Sequence, residues 1–388
     1  MTKQPPIKST VGSGILAICV CLYAASHVAA CTDTKPGDVP DTKVIADAKP
    51  HEETSDTHEL STSLKGLSPP IGETLCVAGP PTSGDLQEQA IPHLLDAGIK
   101  RIRTDLYWHR IEGSRGNFDF STVDAMVRPY LNAGIEVIGI LCYGTAWASS
   151  ATEDDHHFPP DNPEDFANYV QKTLEHFGDE IQIYEIWNEP NAGFRFWKPG
   201  PDGDPVAYGA LLKAAVDAGR KACPSCTFLF GGTFFHSQLI SGHIPFLQTA
   251  QSAYPDLKNA YDAMALHPYP LYPPQAAPEG SPSENEWAFS EMISGVREVL
   301  AEQQAEDKEI WVTEVGWPVH GTVDENIQAA FLVRGMLHLL AEGASPVCWY
   351  NLYDGPKPKS FPPEDAFGLL HRGDGEKGEA PSPKPAYL

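Results

Sequence analysis

Two glutamates stand at the ends of apolar, strand-like runs with aromatic residues beside them. One lies in Ile186-Trp187-Asn188-Glu189-Pro190-Asn191, the other in Val312-Thr313-Glu314-Val315-Gly316-Trp317-Pro318. Two carboxyls that meet among flat apolar rings are suited to breaking a glycosidic bond, one handling the proton of the leaving oxygen and the other acting at the anomeric carbon. Aromatic rings supply faces for sugar C–H groups and, in Trp and Tyr, a polar edge. A single Glu after a strand is ordinarily a surface carboxylate, so this chemistry requires both residues on one rim. They lie 125 residues apart. That is about three strand–helix units of a barrel in which each unit runs about 30–40 residues.

The elements that would bring them together are visible as a regular alternation. Short apolar runs predict strands over Thr74–Val77, Arg101–Thr104, Glu136–Leu141, Ile181–Trp187, Thr227–Phe230, Ala263–Leu266, Glu309–Thr313 and Pro346–Tyr350. Amphipathic runs between them predict helices over Asp85–Ala97, Thr122–Ala133, Pro163–Phe177, Pro205–Ala222, Ser241–Ser252, Glu286–Gln304 and Glu325–Glu342. Nearly continuous apolar strands are those covered by helices on both sides. Ala97-Gly98-Ile99 and Ala133-Gly134-Ile135 place a glycine between helix and strand, where a left-handed cap is expected. Eight such units indicate an α/β fold of the (β/α)8 TIM barrel type. An open doubly wound sheet would carry a phosphate loop after its first strand. Ala78-Gly79-Pro80-Pro81-Thr82-Ser83-Gly84 lacks the G-x-G-x-x-G spacing, and its prolines remove amide donors. After Tyr350 comes a long loop and then the chain end, so the last barrel helix is expected to be missing or very short.

In a barrel the active site lies at the strands' C-terminal ends. Strand 2 ends near Arg103, with Asp105, Tyr107 and Trp108 following. Strand 3 leads to Tyr143 and Trp147, strand 4 to Asn188 and Glu189, strand 6 to His267 and Tyr269, strand 7 to Glu314 and strand 8 to Trp349, Asn351 and Tyr353. In this set and order the chain resembles the clan A glycoside hydrolases. Within that clan, Trp108…Gly116-Asn117-Phe118-Asp119-Phe120 and Asn188-Glu189-Pro190-Asn191…Phe196-Trp197-Lys198-Pro199 are most similar to family 39 and its unclassified relatives. The resemblance covers about residues 70–387. It implies a retaining β-glycosidase with Glu189 as acid/base and Glu314 as nucleophile, acting on a β-linked carbohydrate and needing no cofactor or metal. It also implies that Arg103, Asn188, His267, Tyr269 and Trp349 line the substrate site. Trp147 and Trp349 are read as sugar platforms with indole N–H groups free to donate, and Tyr269 or His267 as a hydrogen-bond partner of Glu314.

Other residues read more blandly. Trp187 and Trp311 suit barrel packing as well as sugar contact. His109, His156 and His157 read as solvated loop residues, although His156 and His157 with Asp154 and Asp155 could hold a metal. Asp105 and Glu112 are expected to pair with nearby arginines.

The N-terminus reads as a leader. Lys3 and Lys8 precede an apolar stretch over 11–25, and Val28-Ala29-Ala30-Cys31 resembles a bacterial lipoprotein box, so residues 1–30 are expected to leave and Cys31 to be lipidated. An uncleaved transmembrane anchor is the alternative; Gly12, Gly14 and the small residues before Cys31 favour cleavage. Thr32 rather than Asp after Cys31 points to the outer membrane or cell surface. Residues 31–68, rich in Asp, Glu, Thr, Lys and Pro and without aromatics, read as a disordered acidic tether, because they cannot bury enough apolar surface to offset ordering entropy. Residues 69–388 then form the hydrolase domain. Without Lys3 and Lys8, 25 basic residues face 52 acidic ones, which argues against a nucleic-acid partner. The expected partners are a carbohydrate and, through the anchor, a membrane; the oligomeric state is left open.

Of eight cysteines, Cys19 and Cys21 belong to the leader. Cys223-Pro224-Ser225-Cys226 reads as a local loop disulfide in an oxidising compartment, since zinc would need a second pair. Cys76, Cys142 and Cys348 lie in apolar runs and are expected to be buried thiols. Two other functions remain open on the sequence alone: a surface glycan-binding lipoprotein without catalysis, and a transglycosylase sharing the same covalent step.

Overall fold

Eight apolar runs become eight parallel strands: β1 Leu75–Ala78, β2 Arg101–Tyr107, β3 Glu136–Cys142, β4 Ile183–Asn188, β5 Thr227–Phe234, β6 Ala263–His267, β7 Glu309–Val315 and β8 Ala344–Tyr350. They pair in chain order and β8 returns to β1, which closes the barrel. The computed structural model describes residues 74–153, 155–235, 243–269, 284–359, 363–373 and 379–388. The leader, Cys31, the tether and Asp154 lie outside the described residues.

Side chains alternate along each strand, which explains the apolar runs. One row fills the barrel interior with Cys76, Ala78, Ile138, Ile183, Leu229, Ala263, Ala265, Trp311 and Cys348. The other row, including Ile102, Leu106, Val137, Leu141, Val312 and Val347, packs outward beneath the helices. These are α1 Gly84–Asp96, α2 Trp108–Ile111, α3 Ser121–Asn132, α4 Pro163–Phe177, α5 Pro205–Ala222, α6 His243–Ala253, α7 Glu284–Glu302 and α8 Glu325–Ala341. In α4, Phe166, Tyr169, Val170, Thr173, Leu174 and Phe177 are buried. Their spacing of three and four residues puts them on one face of a 3.6-residue helix. Each large apolar side chain so covered contributes about 1.5–3 kcal/mol relative to exposure. Three helix starts, those of α4, α5 and α8, carry side-chain caps. Asn162 accepts from the Glu164 amide, Asp204 from Val206 and Ala207, and Asp324 from Ile327. Pro163 and Pro205 occupy first positions, where no amide partner is lost. Gly98 and Gly134 adopt φ of 72° and 76°, the expected left-handed exits.

β2 and β5 run further than their apolar residues, to Tyr107 and Phe234, because backbone pairing continues through polar side chains: Tyr107 is the register partner of Cys142, and Phe234 of His267. The predicted helix over 241–252 is described from His243 to Ala253.

Among the described residues no α-helix follows β8. In its place the chain forms a three-residue turn at Glu364–Ala366 and a short antiparallel pair, β9 Leu370–His371 with β10 Ser382–Pro383. This terminal segment bridges the gap between the last and first helices. His371 Nε2 lies 3.1 Å from Glu325 on α8, and Tyr387 donates to the His93 carbonyl on α1 at 2.9 Å. Lys384 is buried and pairs with buried Asp354 at 2.7 Å.

The cysteine expectation needs one correction. Cys76 and Cys348 are disulfide-bonded, not free thiols. Separated by 272 residues, they become register partners on β1 and β8 once the ring closes, and both point inward. Cys142 is a buried free thiol, and Cys223 is bonded to Cys226.

Candidate active site

Simple alternation along β7 turns Trp311 and Thr313 inward and would turn Glu314 away. The β7–β8 register shifts between Val312 and Val315, an irregularity of the kind that re-aims a side chain, and Glu314 comes to face the mouth. At the end of β4 the backbone itself changes hand: Trp187 has φ 69° and Glu189 φ 46°. Left-handed backbone at non-glycine residues costs roughly 1–2 kcal/mol each, so it persists only where surroundings enforce it. Here buried Trp187 donates its indole N–H to the Phe196 carbonyl at 2.8 Å, and the Glu189 amide bonds the Gly232 carbonyl at 3.0 Å. The sharp turn brings Asn188 and Glu189 together at the rim.

Arg103 is the hub. Its guanidinium is almost fully buried and forms a fork on Glu185, with Nε and Nη2 at 2.8 and 2.7 Å. Nη2 also donates to Asn188 Oδ1 at 2.9 Å, and Nη1 donates to Glu314 Oε1. Planar guanidinium geometry suits this multiple, fixed contact better than an ammonium would. Tyr269 donates its hydroxyl to the other Glu314 oxygen at 2.8 Å. Burial pushes the Glu314 carboxyl up, but His267, Arg103 and the hydrogen bonds from Tyr269 and Arg103 outweigh it and hold the group below the usual carboxylate range. Burial and the Glu314 charge raise the Tyr269 phenol, which keeps it a donor.

His267 is fully buried, with Nδ1 2.9 Å from Glu189 Oε1 and Nε2 3.0 Å from Thr313 Oγ1. A Cβ on Gly232 would lie 2.1 Å from the His267 ring, so only glycine fits beside it. One ligand-type atom from each of Glu189, His267 and Glu314 lies within 4.8 Å of the others. Among the described residues this is the one group of His, Cys, Asp and Glu side chains close enough to grip a metal ion. The arginine on Glu314 already sets a fixed cation there. The arrangement can present an ionised carboxylate and a second, histidine-bonded carboxyl to one ligand.

The structure therefore brings Arg103, Asn188, Glu189, His267, Tyr269 and Glu314 into one hydrogen-bonded set. Of the two expected partners of Glu314, Tyr269 makes the bond; His267 turns to Glu189 instead. Neither tryptophan keeps a free indole N–H. Trp147 donates to the Glu112 carbonyl at 2.8 Å and packs between Trp108 and Arg115. Trp349 donates to the Phe367 carbonyl at 3.1 Å and packs outward on Trp317, because inward Cys348 fixes the phase of β8. Tyr350 faces the site instead. It stands edge-on to Tyr269, and burial with the Glu314 charge raises its phenol. Trp187 and Trp311 are packing residues of the barrel wall and interior.

Glu112 does not pair with an arginine. Fully buried, it accepts from the Trp108 indole at 2.8 Å and the Gly116 amide at 2.7 Å. Asp105 likewise accepts from Tyr107 and Cys142. The three loop histidines are half-buried, not solvated: His109 stacks on His156, and His157 bonds Asp155. The sequence reading did not single out Glu185, Thr313 or Tyr350. For Glu185 a signal existed, since a carboxyl inside the apolar run Ile181–Trp187 must find a buried cation.

No family model matches the chain. A stretch of 101 residues, 25% of the chain, is 29% identical to Beta-glucosidase 47 of Arabidopsis thaliana and covers 19% of that protein. A family 39 glycoside hydrolase from the gut symbiont Bacteroides cellulosilyticus WH2 is similar in structure, with 26% identity, TM-score 0.62, and coverage of 82% of this chain and 63% of that one. A monomeric beta-xylosidase from Caulobacter crescentus CB15 shares the fold at 18% identity and TM-score 0.62, over 81% of this chain and 66% of that one. A family 39 enzyme from Xanthomonas axonopodis pv. citri does so at 18% identity and TM-score 0.62, over 81% and 64%. The chain spans less than two thirds of the length of each of these relatives. The resemblance to clan A glycoside hydrolases of the family 39 type, read first from motifs, thus extends to the whole barrel.

Proposed function

We propose that this protein is a retaining β-glycosidase that hydrolyses a β-linked oligo- or polysaccharide through a covalent glycosyl-enzyme. The observation that carries the reading is the gap between Glu189 and Glu314, whose nearest oxygens lie within 4.8 Å. Retaining enzymes hold their carboxyls about 5–5.5 Å apart, whereas inverting ones need about 6.5–9.5 Å to admit a water. The similarity to family 39 hydrolases supports the same reading.

The roles follow from the contacts. Glu314, kept ionised by Arg103 and Tyr269, attacks the anomeric carbon as the bond to the leaving oxygen breaks. Glu189 gives that oxygen a proton. It then takes a proton from the water that attacks the glycosyl ester, which releases the sugar and restores Glu314 as a carboxylate. His267 orients Glu189 from below, and Thr313 orients His267. Asn188, with its oxygen taken by Arg103, turns its NH2 toward the sugar 2-hydroxyl, a contact that strengthens in the transition state.

Glu314→Gln should lower kcat by roughly 10⁴-fold or more, the loss expected when a covalent nucleophile is removed. Glu189→Ala should keep glycosylation by aryl glycosides with activated leaving groups and recover turnover with azide. The first product released by the wild type should be the β-anomer. Full activity in Glu314→Gln, or a first-formed α-anomer, would sink the reading.

A further inference from the structure

Asp105 takes no part in the chemistry above, yet its side chain faces the same space. Ile102 and Leu106 of β2 pack outward, so Arg103, Asp105 and Tyr107 point inward. Two residues beyond Arg103, Asp105 stands about 6–7 Å nearer the mouth. Arg103 is sealed in, whereas Asp105 is half-buried. Tyr107 donates to Oδ2 at 2.7 Å and the Cys142 thiol to Oδ1 at 3.2 Å. A carboxylate oxygen can accept two hydrogen bonds, so each retains capacity. Arg103, the neighbouring cation, gives its donors to Glu185, Asn188 and Glu314. The two donors to Asp105, Tyr107 and Cys142, are register partners at the ends of β2 and β3, the Tyr107 ring lies 6.4 Å from that of Tyr143, and Arg103, two residues below, holds Glu314, so Asp105 stands on the rim above the Arg103–Glu314 pair. A carboxyl partly withdrawn from water, whose nearby cation gives its hydrogen bonds to other groups, is costly for folding alone.

A sugar in this space is oriented by the proposed chemistry. Its anomeric carbon lies between Glu189 on β4 and Glu314 on β7, with the 2-hydroxyl at Asn188. Asn188 is bonded to Arg103 of β2, so we place the ring carbons beyond C2 over the end of β2, where Asp105 stands. We infer that Asp105 is a specificity-determining residue that accepts hydrogen bonds from the sugar hydroxyls at C3 and C4. The substrate class is then a β-glycoside whose sugar in this site carries both hydroxyls unsubstituted. This inference rests on the glycosidase reading.

The test begins with wild-type protein on the 4-nitrophenyl β-glycosides of glucose, xylose, galactose and mannose. The sugar turned over fastest is then compared with its 3-deoxy and 4-deoxy analogues, in wild type and in D105N. On the parent sugar D105N should lower kcat/KM roughly 10- to 100-fold, the effect of a hydrogen bond to a charged group. On at least one deoxy analogue it should change kcat/KM little, because the contact is already gone and the two losses are coupled. D105E, which keeps the charge and displaces it, should weaken the same discrimination. Equal losses on parent and both analogues in the two variants would assign Asp105 to holding Tyr107 and Cys142 and overturn the inference. A wild type active on these sugars but blind to both deletions would overturn it too. Inertness of the wild type on all four would overturn the inference, because a site that takes one sugar with free C3 and C4 hydroxyls must turn over at least one of them; the glycosidase reading would still stand or fall on the Glu314→Gln and product-anomer tests.

Discussion

Glu314 was legible as a chemical residue because it ends an apolar run beside aromatics; its neighbours were less so. Arg103 is one arginine among several in its stretch, and what distinguishes it is Glu185, a carboxyl buried 82 positions away that fixes two of its nitrogens. The parity of aromatic neighbours was also hidden. Trp349 and Tyr350 are adjacent, and only the strand phase decides which enters the site. A pH experiment belongs at this scale. Glu314 is held below the usual carboxylate range by Arg103, His267 and Tyr269 despite its burial. The proposed attack requires its ionised form, so the acid limb of kcat/KM should lie below that range. Tyr269→Phe removes a hydrogen bond to the ionised form, and the limb should move up by about one pH unit. An unmoved or lowered limb would contradict the role of Tyr269. The same sign governs stability: the folded-state pKa lies below the unfolded one, so this contribution is present above the ordinary carboxylate range. It is lost as pH falls through the folded value.

Elements were read well wherever their side chains repeat with a period. The helix over residues 163–177 is found over the same span, with its proline start and its buried face at three- and four-residue spacing. Where geometry departs from a period, the sequence is silent. The register shift in β7 and the left-handed residues ending β4 are both such departures, and both aim a carboxyl. The sequence predicts a last helix that is missing or very short, and among the described residues no α-helix follows β8; what covers the gap was not foreseen. Lys384 and Asp354, 1% and 4% exposed, form the joint that seats the terminal segment. Burial raises the Asp354 carboxyl, and Lys384 draws it back down. Lys384→Met should destabilise the protein by about 3–5 kcal/mol in denaturant unfolding, because it strands a buried charge. A change within about 0.5 kcal/mol would mean the segment is not part of the cooperative fold.

At the scale of the whole molecule the decisive event is closure of the ring. It sets β1 against β8, makes Cys76 and Cys348 neighbours, and does so at the seam where no α-helix is found among the described residues. Linking residues 272 positions apart restricts the unfolded chain strongly, by about 6 kcal/mol on the loop-entropy estimate. The Cys76→Ala, Cys348→Ala double variant should therefore melt well below wild type, and reductant should bring wild type toward it. Removing Cys223–Cys226, which closes a loop of three, should matter far less. Equal melting temperatures for the two double variants would contradict this account. By itself the sequence determined the alternation of strands and helices, and hence the barrel and the rim on which Glu189 and Glu314 stand. Those features are local: hydrophobic period, caps and the order of residues at strand ends. Only the tertiary structure decided that Cys76 meets Cys348, that Glu185 anchors Arg103, that His267 serves Glu189, and that Tyr350 faces the site. Each of these depends on which strand lies beside which and on the phase in which it arrives, and a closed ring sets both between residues far apart in the chain.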